Sequence, residues 1–149
     1  MDARTFLTHI FRDCKGAPIT ASAEEGFQSR RWKPGEAPPE GKTYFGISTV
    51  LDIPRTRILR RRTEDLVETR VIVLDDWGTK VKKALPLEPS YLLESSPGNF
   101  QPGYILKYGA EPSRAAALIE ALAAAGWTDP GAKRADRIMR IPGSLNDKY

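Results

Sequence analysis

Val71-Ile72-Val73-Leu74-Asp75-Asp76-Trp77-Gly78-Thr79-Lys80 decides the reading of this chain. Four apolar residues, three of them β-branched, have the length and composition of a buried strand. Gly78 marks the turn that stops it. An unpaired carboxylate is costly beside an apolar core, so two aspartates at the strand end ask for a partner. The competing reading is an Asp-Asp turn pair that caps the strand. A strict strand points successive side chains to opposite faces, so only one of the two acids would reach a given face.

The surrounding chain reads as α+β. Ala3 to Arg12 carries Phe6, Leu7, Ile10 and Phe11 at one-face helical spacing. Residues 13–42 are rich in Gly, Pro and charge, and read as a long loop with one strand at most. Thr43–Leu51 is a strand by composition, and Thr63–Glu68 a helical turn leading into the Val71 strand. Ser90–Glu94 and Tyr104–Tyr108 are further strands, with a turn at residues 95–99 between them. Pro112 to Trp127 is a helix, opened by Pro112 and ended by Gly126, with Ala115, Leu118, Ile119 and Leu122 as its buried stripe. Ile138–Ile141 is a short strand stopped by Pro142-Gly143. The expectation is one domain over residues 1–149 with a mostly antiparallel sheet and packed helices.

Composition narrows the function. The single cysteine, Cys14, rules out a disulfide framework and a cysteine-rich zinc site. No apolar run approaches the roughly 18 residues that span a membrane, and the N-terminus has no basic-then-apolar leader. A cytoplasmic protein without membrane contact is expected. The net charge of +4 is unevenly spread. Arg55, Arg57, Arg60, Arg61 and Arg62 form one basic run; Lys80, Lys82 and Lys83 follow the aspartates; Lys133, Arg134, Arg137, Arg140 and Lys148 form a third cluster. Arginine favours bidentate phosphate contacts, although a charge run also serves simply as a solvated face.

Two more segments carry chemistry. Glu94-Ser95-Ser96-Pro97-Gly98-Asn99-Phe100-Gln101 is either an ordinary hairpin turn or a phosphate cradle of backbone N–H groups and hydroxyls. Asp136 to Lys148 supplies a further acid, then basic and amide groups. Clustered carboxylates around a divalent ion, with arginine and lysine on a triphosphate, are what phosphoryl transfer needs.

In order, Leu-Asp-Asp-x-Gly-Thr-Lys, Ser-Pro-Gly-Asn-x-Gln and Asp-x-x-x-Arg-x-Pro-Gly-Ser-x-Asn-x-Lys resemble the archaeo-eukaryotic primase superfamily, nearest its RepB-like plasmid and phage primase or primase-polymerase branch. The matches span residues 74–148. The resemblance implies an RRM-like sheet and synthesis of primers or strands on a single-stranded DNA template from nucleoside triphosphates, with Mg²⁺ or Mn²⁺. It implies metal-binding acids at Asp75, Asp76 and Asp136. It puts nucleotide contacts at Ser96, Asn99, Gln101, Arg140 and Lys148, with Lys80 beside them. The arginines at 55, 57, 60, 61 and 62 would touch template phosphates. It also implies a helicase domain as a partner, this chain being a catalytic domain cut from a longer primase-helicase.

Two departures stand out. The family spaces its first acids one residue apart, and here Trp77 holds the second place. Its middle histidine is Gln101, which donates a hydrogen bond but carries no charge. The rival reading is a non-catalytic RRM-like nucleic-acid-binding module in replication initiation, with Tyr44, Phe45, Phe100 and Tyr104 free to stack bases. A metal-dependent nuclease is a more distant third.

Overall fold

The computed structural model describes residues 2–131 and 134–144. Within them, two helices and eight strands follow one another: α1 (Ala3–Ile10), β1 (Ile19–Ser22), β2 (Arg30–Arg31), β3 (Thr43–Gly46), β4 (Ser48–Val50), β5 (Leu66–Val73), β6 (Tyr91–Ser96), β7 (Asn99–Ala110), α2 (Pro112–Ala124) and β8 (Ile138–Arg140). The fold is α+β with antiparallel pairing, as the sequence implies. The strands divide between two four-stranded sheets, ordered β2-β1-β3-β8 and β4-β5-β7-β6. The expected single strand at Thr43–Leu51 breaks at Ile47, so that β3 serves one sheet and β4 the other. Ile47 keeps both backbone groups paired across the break: its N–H donates to the Arg137 carbonyl and its carbonyl accepts from Arg70. One continuous segment thereby fastens the two sheets.

Each helix forms for a local reason and is held by burial. The Asp2 side chain caps α1 by accepting the Thr5 N–H at 2.8 Å, and Phe6, Leu7 and Ile10 bury one face. Pro112 opens α2, where its missing N–H costs nothing. The buried row of α2 is Ala115, Ile119 and Ala123, a spacing of four that lays the helix on β5. Leu118, expected in that row, is 49% exposed. Small alanines at both ends let the helix approach the sheet closely, and the helix turns Leu118 outward.

The long stretch after α1 is not an unstructured loop. β1 and β2 pair there, and Trp32 is 2% exposed in the main core. That core joins Phe6, Phe11, Phe45, Val71, Val73, Ile119 and Met139. Phe6 packs edge-on against Phe45 and Tyr91, with ring centres 5.3 and 4.8 Å apart. Tyr91 is partly buried against this core, and desolvation pushes its phenol pKa up. Opposite it, Gly103 leaves the ring its space: a Cβ at Gly103 would sit 2.1 Å from the Tyr91 ring.

Gly103→Ala should therefore destabilise the domain by about 1–3 kcal/mol through overpacking. Leu118→Ala, on the exposed side of α2, should change stability by no more than about 0.5 kcal/mol. Urea unfolding followed by circular dichroism measures both; equal effects would contradict the packing described.

Candidate functional site at the end of β5

β5 pairs with β7 through Val71 with Ile105, Ile72 with Tyr104, and Val73 with Gly103. The ladder continues as the Leu74 N–H donates to the Pro102 carbonyl at 2.9 Å. The next paired residues are Trp77 and Phe100, bonded in both directions. Asp75 and Asp76 therefore stand together across from Gln101 alone, which makes a β-bulge. Asp76 takes a left-handed backbone, φ 60°, a conformation that aspartate tolerates better than most residues. The bulge breaks strict alternation at the point where two consecutive acids would otherwise have pointed to opposite faces.

Asp75 is the hub of the site. Its Oδ1 accepts the Asp76 N–H at 2.9 Å and the Gln101 Nε2–H at 3.1 Å. Its Oδ2 faces the Arg137 guanidinium at 3.5 Å. Its backbone N–H donates to the Thr128 hydroxyl at 2.8 Å. The three segments singled out in the sequence thus meet at one carboxylate, through Asp75, Gln101 and Arg137.

Gln101 is 8% exposed, and its Oε1 is sealed from solvent with no hydrogen-bond partner. Asp76 turns to Lys80, whose ammonium lies 3.0 Å from Asp76 and 3.5 Å from Asp129. The hydrogen bond to Asp76, with the two negative charges, raises the Lys80 pKa. Asp136 accepts from Arg134. Arg61 belongs to this corner too. Burial lowers its pKa, the Asp136 charge pulls it back up, and its Nη1 is buried without a partner.

The remaining predicted residues are distributed as follows. Asn99 accepts the Thr79 hydroxyl at 2.7 Å and donates to Ser95 at 3.1 Å. It ties the Gly78 turn to the Ser-Pro-Gly-Asn turn. A Cβ at Gly78 would lie 2.4 Å from the Gly98 carbonyl, so the two turns touch. Ser96 closes β6 and pairs with Asn99. Arg140 lies over the Tyr44 ring, 5.4 Å from its centre, on β8 beside β3. Arg55, Arg57, Arg60 and Arg62 are exposed, Arg62 pairing with Glu64 and Asp65. Lys148 lies outside the described residues.

Trp77, at the place of the family's second acid, is buried. Its Nε1–H donates to the Trp127 carbonyl at 2.8 Å, and the two indoles stack 6.2 Å apart. Of the four aromatics considered for base stacking, Phe45 is fully buried in the core and cannot reach a base. Arg137, Thr128 and Asp129 are the neighbours that sequence reasoning missed. Arg137 stood only as one member of a basic cluster, and nothing local sets Thr128-Asp129 apart from an ordinary helix-ending loop.

Among the described residues, no three His, Cys, Asp or Glu side chains gather closely enough to hold a metal ion by themselves. The donors nevertheless suit a hard cation. Asp75 Oδ2 has only a 3.5 Å contact, and the buried Gln101 Oε1 is an oxygen without a donor. Among the described residues no helix is long and apolar enough to cross a membrane.

An α+β domain with an acid, an amide and an arginine converging at a bulged strand end is the class that the geometry defines. A family model for the RepB DNA-primase N-terminal domain matches residues 38–149. That is well over half of the 149 residues, and the chain belongs to this family. No curated protein and no solved structure matches the chain. Membership puts the domain in replication initiation, among primases.

Gly78→Ala, strained at φ 88° and driven against Gly98, should cost more than about 1 kcal/mol. Thr79→Val, which removes one hydroxyl bond to Asn99, should cost about 1 kcal/mol or less. Thermal melts of the two variants give the comparison; a neutral Gly78→Ala would mean that the turns do not touch.

Proposed function

We propose that this domain is a template-dependent nucleotidyltransferase that makes primers or extends strands from nucleoside triphosphates in plasmid or phage replication. The observation that carries the reading is the meeting of three separate segments at Asp75. Only one of its carboxylate oxygens is well satisfied by hydrogen bonds, and an arginine stands beside the other.

Asp75 would anchor Mg²⁺ or Mn²⁺, with Asp76 and Asp136 joining it, although the three do not gather closely enough in this arrangement to hold the ion by themselves. Asp76 and Asp136 are engaged by Lys80 and Arg134, so those pairs must open for either acid to contribute. When bound, the metal eases deprotonation of the attacking 3′-hydroxyl and offsets charge on the leaving pyrophosphate. Arg137 has one long contact to Asp75 and offers its remaining N–H groups to a triphosphate, which suits bidentate phosphate binding. Arg140 and Lys80 supply further positive charge. Ser96 and Asn99 shape the turn that borders the site, with Asn99 anchored by its ties to Thr79 and Ser95. Arg55, Arg57 and Arg60, exposed along one segment, suit the phosphates of a single-stranded template; Arg61 and Arg62 border it. A helicase domain is proposed as its partner on the resemblance alone.

The test is primer synthesis on single-stranded DNA with Mn²⁺ and labelled nucleotides. Asp75→Asn should lower incorporation by about 10²-fold or more without changing the circular dichroism spectrum. A folded wild-type domain that makes no product, or an Asp75→Asn variant of full activity, would refute the assignment.

DNA binding is separable from that chemistry. Arg57→Ala with Arg60→Ala should weaken affinity for every template sequence. It should also reduce the slope of log Kd against log salt by about 0.7 for each phosphate that the protein no longer neutralises. Fluorescence anisotropy across a salt series reads this out, and an unchanged slope would remove these arginines from the template path.

A further inference from the structure

We propose that Gln101 is itself a metal ligand, contributing its carbonyl oxygen beside Asp75, and that it does not bind the nucleotide's phosphates. The inference rests on the nucleotidyltransferase reading above and adds a ligand that the acids alone do not provide.

The first ground is what each end of the amide is doing. Nε2 is engaged by Asp75 Oδ1 at 3.1 Å. Exchanging the two ends would set a carbonyl oxygen against a carboxylate, two acceptors with no proton between them, so Asp75 determines the orientation. Oε1 is then the free end. It is buried, in a side chain only 8% exposed, and it has no partner. A buried acceptor without a donor is a rare and costly arrangement in a folded protein.

The second ground is which species could satisfy that oxygen. Phosphate oxygens are acceptors and are repelled, so Gln101 cannot make the phosphate side of the nucleotide contact that the resemblance implies for it while Asp75 holds its N–H. A hydroxyl or water donor could satisfy it, and so could a hard divalent cation, because amide carbonyls are ordinary ligands of Mg²⁺, Mn²⁺ and Ca²⁺. The third ground is the shortage of acids. No three metal-binding side chains of the usual types converge among the described residues. Asp76 and Asp136 are each held by a cation of the protein. An amide oxygen next to Asp75 adds a second oxygen donor that no cation of the protein holds. Gln101 also comes already fixed: it lies on β7, opposite the bulge, and its Nε2 bond to Asp75 restrains the side chain.

The experiment compares Gln101→Leu with Gln101→Glu, using Mn²⁺ alone as the probe and electron paramagnetic resonance to count free and bound ion. Circular dichroism confirms that each variant is folded. Leucine removes both the N–H and the oxygen. Glutamate keeps an oxygen, adds charge and loses the N–H. If Gln101 is a ligand, Gln101→Leu weakens Mn²⁺ binding by about tenfold or more, while Gln101→Glu binds at least as tightly as wild type. If both variants weaken binding alike, Gln101 serves only to hold Asp75, and the proposal is wrong. It is equally wrong if neither variant changes the affinity while Asp75→Asn abolishes binding; the metal-dependent reading then survives without Gln101. Wild-type protein that binds no Mn²⁺ would overturn both. A shift in preference between ribo- and deoxyribonucleotides at constant Mn²⁺ affinity would assign Oε1 to a sugar hydroxyl instead, and would also refute the proposal.

Discussion

Val71, Ile72 and Val73 pair with Ile105, Tyr104 and Gly103, and this ladder is the constraint on which the rest depends. β5 is buried along its second half: α2 lies on it, and its side chains join the main core. A strand buried in that way cannot slip by one residue without moving its apolar set to the wrong face. Its register therefore dictates where Asp75 ends up. Because β7 runs antiparallel beside it, the same register dictates that Gln101 is the residue across from the acids. Gly103 contributes by leaving room for Tyr91, so the hairpin of β6 and β7 can close over the core.

The bulge converts this register into a site. Two consecutive acids on a regular strand would send one carboxylate toward the core, where burial without a partner is costly. One extra residue and a left-handed Asp76 relieve that conflict. Trp77 then drops into the cluster of Leu74 and Val81 and anchors the turn from below. The loop after α2 completes the frame from the other side. Thr128 holds the Asp75 backbone, Trp127 accepts from Trp77, and Asp129 shares Lys80 with Asp76. The place that the family gives to a second acid is filled by an anchoring residue, Trp77, and the second acid stands one position earlier, at Asp76.

Charge at the site is balanced by the protein's own cations. Asp75 faces Arg137, Asp76 faces Lys80, and Asp136 faces Arg134 with Arg61 nearby. Each acid is neutralised locally, and each such pairing is one that an incoming cation would compete with. Lys80 and Arg134 are about two-thirds exposed. Their carboxylates, Asp76 and Asp136, are only 18% and 14% exposed, so these pairs are half-buried and opening either one costs more than opening a pair fully in solvent. Arg137 is less exposed, yet its 3.5 Å contact is long for a hydrogen bond.

Much of this was legible in the residues alone. The apolar run at Val71–Leu74, the acids that end it, the turn chemistry around Gly78 and Gly98, and the helix opened by Pro112 all follow from local preferences, which short-range sterics and periodicity express directly. The order of the three motifs was legible for the same reason, and with it the family. The division of the strands into two sheets was not, because the break at Ile47 arises from pairing with Arg137 and Arg70, both distant in sequence. Of the expected α2 stripe, Ala115 and Ile119 are buried and Leu122 packs on the core, but Leu118 faces outward and Ala123 is buried instead, which depends on how the helix sits on β5. The bulge was invisible as well: it exists only once β7 is in place to count two residues against one. Arg137 reaches Asp75 across 62 residues, and the orphaned Gln101 oxygen is orphaned only because Asp75 has taken the other end of the amide. Local sequence determined which chemical groups stand at the strand ends. Long-range pairing alone decided which of them meet.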